Sequence, residues 1–136
     1  MSSQKIEKKQ RRNEKIKILK IAFLTEELNL TSKEAQEFWP IYNKYDKKLH
    51  LLERLEKYKL VSKIRKAGGV DSISEQEAKS IMLKIKKIDG EVYKTKLELD
   101  TKLTNILTYK KLLKFKTAEK KFVRNLMRKY KRKKGK

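Results

Sequence analysis

The sequence predicts an all-α protein of about four helices, extended in shape, with one long antiparallel helical hairpin. Three observations carry this. Apolar residues recur at three- and four-residue steps and nowhere alternate over the length of a strand. Helix-start signals stand at Thr31, Ser74 and Thr108. One proline and four glycines leave few breaks. Disorder is the competing reading for a chain with 41% charged residues and a mean hydropathy of −0.85. A disordered chain, however, has no reason to keep a 3.6-residue period.

The first helix shows its pattern at Ile16, Leu19, Ala22, Phe23, Leu24 and Leu28 and ends near Asn29. Residues 1–13 before it form a basic segment, partly helical or frayed, because an apolar face is what holds a helix in a protein. Thr31 with Glu34 has capping-box spacing, and Leu30 with Ala35 is placed for a hydrophobic staple. The second helix runs from Ser32 to about Lys66, roughly 50 Å at 1.5 Å per residue. Pro40 inside it predicts a kink near Gln36 to Pro40, or else a break at which Pro40 starts a new helix. Leu49, Leu52, Leu55 and Leu60 continue its apolar seam, and Glu53 and Lys57 make an i,i+4 pair.

Gly68 supplies a left-handed C-cap and Ser74 with Glu77 a second capping box. The third helix then carries Ala78, Ile81, Met82, Ile85, Ile88, Val92, Leu99, Leu103 and Ile106, weakened by about 1 kcal/mol at Gly90. A joint at Leu107–Thr108 leads to a fourth helix with Leu112, Phe115, Ala118, Phe122, Leu126 and Tyr130 on its inner face. By length the chain is one domain, taken as 14–127, followed by a basic tail, 128–136. Such narrow apolar stripes need a partner, which predicts a homodimer.

The 39 Lys and Arg against 17 Asp and Glu give a formal charge of +22. That surface attracts anions, whether nucleic acid, anionic lipid or acidic protein. Lysine dominates, which suits loose attraction better than bidentate readout. Lys47, Lys48, Arg54, Lys86, Lys87, Lys110 and Lys111 are the candidate basic contacts, with solvation as their plainer use. Without cysteine there is no disulfide or thiolate chemistry. No segment is apolar for long enough to span a bilayer.

His50, the only histidine, cannot build a tetrahedral metal site without several carboxylates, so no metal or other cofactor is expected. Asp89, Glu91, Glu98 and Asp100 sit among lysines and read as solvated helix charges. No nucleophile, base and orienter come together, and Gly68–Gly69 lacks the lysine–serine of a phosphate loop, so an enzyme is not expected. Phe38, Trp39, Tyr42 and Tyr45 at helical spacing read as core, or alternatively as an exposed platform for other chains. Trp39, one step off the stripe, is the candidate apolar contact.

The stretch LNLTSKEAQEFWPIYNKYD, residues 28–46, resembles the first LTxxQ motif of the Spy/CpxP-like periplasmic proteins. It is most similar to the bacterial subgroup with an ELNLTxxEAxxFWPxYN pattern, some of whose members are labelled sensors of sigma factors. Thr31, Glu34, Phe38, Pro40 and Tyr42 carry the match, with Glu34 in the place of the glutamine. A second copy falls at Leu107 and Thr108, where Lys111 replaces the glutamine. The resemblance implies an exported protein whose leader has been removed, and two chains paired antiparallel into a curved cradle. It also implies an ATP-independent chaperone or envelope-stress accessory for unfolded or acidic clients, a stress-sensor kinase or a sigma-factor regulator. The alternatives are nucleic-acid binding through the basic helices and a membrane-surface role for them.

Overall fold

The computed structural model describes residues 2–134, helical nearly throughout and with no strand among the described residues. It has four helical rods. The first is α1 (Ser2–Leu28). The second joins α2 (Ser32–His50), a π-helical segment (Leu51–Lys57) and α3 (Tyr58–Lys66). The third is α4 (Glu75–Leu103) and the fourth α5 (Tyr109–Lys134). The basic segment up to residue 13 continues as part of α1, and the basic tail as α5 up to Lys134. Residues 135 and 136 of that tail lie outside the described residues. Contacts divide the chain into two compact units. One holds the residues up to Gln36 and from Leu107 onward; the other is Glu37–Ile106.

In the first unit α1 packs on α5. Leu24, Leu28, Leu107, Leu112, Phe115, Ala118 and Phe122 are buried. The rings of Phe23 and Phe122 lie 5.7 Å apart. Lys20 pairs with Glu119 at 3.3 Å, whereas Lys111 further back on α5 reaches the Asn29 carbonyl beyond the end of α1. The two helices therefore run in opposite senses. Asn29, at φ +48°, takes the left-handed position after the last turn of α1, which asparagine tolerates.

In the second unit the rod formed by α2, the π segment and α3 runs against α4 in opposite senses. Tyr45 meets Lys102, Leu52 packs with Ile88 and Val92, and Lys57 bonds Asp89 at 2.9 Å. The expected Glu53–Lys57 pair is thus superseded: the Lys57 ammonium crosses to the other rod. α2 passes through Pro40 without a break, so of the two expected outcomes the helix continues. Phe38, Tyr42 and Tyr45 are buried, and Thr95 joins them at 1% exposure. That hydroxyl is satisfied by donating to the Glu91 carbonyl at 2.7 Å.

The π segment explains where the leucine seam departs from expectation. Tyr45, Leu49 and Leu52 face inward at α-helical steps, and Lys57, Leu60 and Ile64 face inward after it. The one long step, from Leu52 to Lys57, falls within the π turns, which close over five residues instead of four. Leu55 is rotated outward and is 47% exposed. Leu19, Met82 and Tyr130 also stand more exposed than their periodicity predicts.

The turn between the rods is a Schellman motif. Gly69 N–H donates to the Ile64 carbonyl at 3.0 Å and Gly68 N–H to the Arg65 carbonyl at 3.1 Å. Gly68 has φ +103°, and a Cβ there would meet Ser72 Oγ at 2.9 Å. A single 3-10 turn, Val70–Ser72, then leads to Ser74, whose hydroxyl accepts the Glu77 N–H at 3.1 Å.

Candidate functional site

Thr31 and Thr108 cap two helices in the same way. Thr31 Oγ1 accepts the Glu34 N–H at 3.1 Å, and Thr108 Oγ1 accepts the Lys111 N–H at 3.2 Å. At Thr31 the box is reciprocal, since Glu34 Oε1 takes the Thr31 N–H at 2.9 Å. Glu34 and Lys111, each three residues past its cap, then find each other: Lys111 Nζ lies 2.6 Å from Glu34 Oε1. The same ammonium donates to the Asn29 carbonyl at 3.3 Å. The Lys111 hydrogen bond, followed by the Thr31 N–H, holds the Glu34 carboxyl below its ordinary value, against a smaller opposing effect of burial. Lys111 is therefore a half-buried clasp that joins the α1–α2 turn to the start of α5, whereas Lys110 beside it is exposed.

The aromatic residues form a compact group in the second unit. The Phe38 and Tyr42 rings stack at 5.5 Å. Trp39 meets both edge-on, at 4.8 Å and 5.6 Å, and stays half-buried while Phe38 and Tyr42 are enclosed. This is the core use of the stripe, with Trp39 half-buried at its edge. Lys102 Nζ stands 5.6 Å from the centre of the Tyr45 ring, a cation–π contact that sequence spacing did not indicate.

Lys47, Lys48, Arg54, Lys86 and Lys87 are exposed on the second unit. Of these only Lys87 lines the open groove between α3 and α4. That groove, of about 370 Å³, has Leu60 and Ile88 among its lining, with Lys59, Lys84 and Lys87 set against Glu56 and Glu91. Leu60 and Ile88 also belong to the seam around Leu52, so the groove opens onto the edge of the core. On the π segment and α3, Leu55 and Tyr58 are exposed beside Lys59 and Lys63, and the Arg65 guanidinium donates to the Tyr58 hydroxyl at 3.0 Å. Lysine beside exposed aliphatic carbon is thus the recurring surface chemistry.

His50 is exposed. Among the described residues no three His, Asp or Glu side chains come together as a set that could hold a metal ion. Asp89 is not simply solvated, since it accepts the Lys57 ammonium, and Asp100 is half-buried. No helix among the described residues is long and apolar enough to cross a membrane. No family model, curated protein or solved structure matches this chain.

Proposed function

We propose that this chain is an ATP-independent, chaperone-like binding protein of the periplasm, or an envelope-stress accessory. In this reading it acts as a homodimer and holds unfolded or acidic polypeptides on a basic, partly apolar surface. The observation that carries the reading is the groove between α3 and α4, where three lysines and two glutamates line an opening onto Leu60 and the buried Ile88. Long-range attraction brings an anionic segment in, and shallow apolar contacts hold it without burying it. Exposed Met82, Tyr93 and Leu97 on α4, about 100° to 160° round the helix from its buried side, support pairing with a second copy. The likeness of residues 28–46 to the LTxxQ motif supports the location and the class of client.

The test is suppression of aggregation of a chemically denatured acidic client. The chain is expected to slow aggregation at low salt and to lose most of that effect as salt shortens the screening length to about 8 Å and below. Lys84→Gln with Lys87→Gln should weaken it further. An aggregation rate unaffected by the chain at low salt would overturn the reading. A monomer by sedimentation at micromolar concentration would overturn the dimer.

One observation favours nucleic acid as a second reading. Arg124, Arg128 and Arg132 recur at four-residue steps on exposed positions of α5. Binding of duplex DNA that survives moderate salt and depends on base sequence would establish it over the first.

A further inference from the structure

We propose that one edge of α5 seats this protein on the headgroup region of an anionic bilayer. Tyr109, Leu113, Val123 and Met127 are 77%, 69%, 52% and 59% exposed. Isolated exposed apolar residues need no explanation, but these four are aligned. Met127 follows Tyr109 by about five full turns at 3.6 residues each, and Leu113 and Val123 fall about 40° to either side of that line. The line is thus two apolar pairs, Tyr109 with Leu113 and Val123 with Met127, and between them the exposed Lys116 and Lys120 fall about 20° to either side of it. The line borders the face that α5 buries: Leu112 falls about 20° from Val123 around the helix, with Phe115, Ala118 and Phe122 farther round.

The charge around the line selects the occupant. Lys110, Lys114, Lys120, Arg124 and Arg128 are all exposed along the same helix, and Glu119 is the only acid in α5. The cations call for an anionic surface, and the aligned aliphatic and aromatic carbon calls for one with hydrocarbon beneath it. Nucleic acid would satisfy the cations but leave Leu113, Val123 and Met127 against water. A second copy paired through this helix would set two strongly basic α5 helices against each other. Phospholipid headgroups over acyl chains meet both requirements: the apolar line enters the interface, and the lysine and arginine stems reach back to the phosphates. This assignment goes beyond polypeptide binding and does not depend on it.

Vesicle flotation tests the assignment. At about 0.15 M salt the chain is expected to float with mixed phosphatidylcholine–phosphatidylglycerol vesicles and to stay behind with phosphatidylcholine alone. Leu113→Ser with Met127→Ser leaves the charge unchanged and should weaken the partition by about tenfold. The chain has no cysteine, so Met127→Cys and Asn125→Cys each offer one labelling site. A polarity-sensitive fluorophore at 127 should shift to the blue on the mixed vesicles, while one at 125, on the opposite side of α5, should not. Three results would overturn the proposal. They are no flotation, a partition unchanged in the double-serine variant (attraction by charge alone, as nucleic acid would show), or equal shifts at both labelled positions.

Discussion

The pairing of Glu34 with Lys111 has a consequence that can be measured at each side chain. Glu34→Gln and Lys111→Gln should each lower stability to urea, and the double variant should lose less than the two singles together, because the second change removes a charge the first has stranded. The pH dependence has a definite sign. Glu34 is held below its ordinary value of 4.5, so its contribution is complete above that pH and fades as pH falls through the depressed value. The difference between Glu34→Gln and the parent should therefore be present at neutral pH and absent in strong acid. Thr31→Ala should cost about 1 kcal/mol through the lost cap. The Thr31–Glu34 contact was legible in the sequence because it closes over three residues. The Lys111 partner was not, because the two residues are 77 positions apart and nothing local brings them together.

At the level of the element, leucines with equal standing in the sequence part company. Leu52→Ala should cost about 2–5 kcal/mol, since that side chain packs with Ile88 and Val92, whereas Leu55→Ala should be near neutral. Equal losses in urea melts would show that the π segment does not re-phase the seam. Gly68→Ala should destabilise by about 1 kcal/mol or more, because φ +103° is open to glycine and strained for alanine. Helix ends were readable because threonine, serine, asparagine and glycine mark them chemically: Asn29, Thr31, Gly68, Ser74 and Thr108 all stand where their residue types predict. The π turn carries no such marker. Residues 51–57 are ordinary helix formers, and the extra residue shows only in which side chains face α4. The apolar line on α5 was also hidden, because its period is the same as that of the buried face beside it.

For the molecule as a whole, the net charge of +22 sets the response to ions. The 39 basic residues outnumber the 17 acidic ones by more than two to one, so like charges repel within the folded state and salt relieves that repulsion. The thermal midpoint followed by circular dichroism should rise between low ionic strength and about 0.15 M, where the screening length is about 8 Å. Client capture should move the other way over the same range. A midpoint that falls with salt would mean that the ion pairs Lys57–Asp89 and Glu34–Lys111 outweigh the collective repulsion. The sequence conveyed the charge and the helical class directly. It did not reveal the grouping into two compact units, although each boundary carries a mark: Gln36 stands four residues before Pro40, and Leu107 opens the joint before α5.

The wide turns between Leu51 and Lys57 amount to a spare residue in the second rod. Shortening the chain by one position there, for example by removing the outward Leu55, should let the stretch close as ordinary α-helix while Leu60 and Ile64 keep facing inward. The same trim in Tyr58–Lys66 would swing the rest of that helix by about 100° and expose what it now hides. Tolerance of a single-codon loss should therefore be confined to those seven positions, and a deletion scan read by thermal melting would map it.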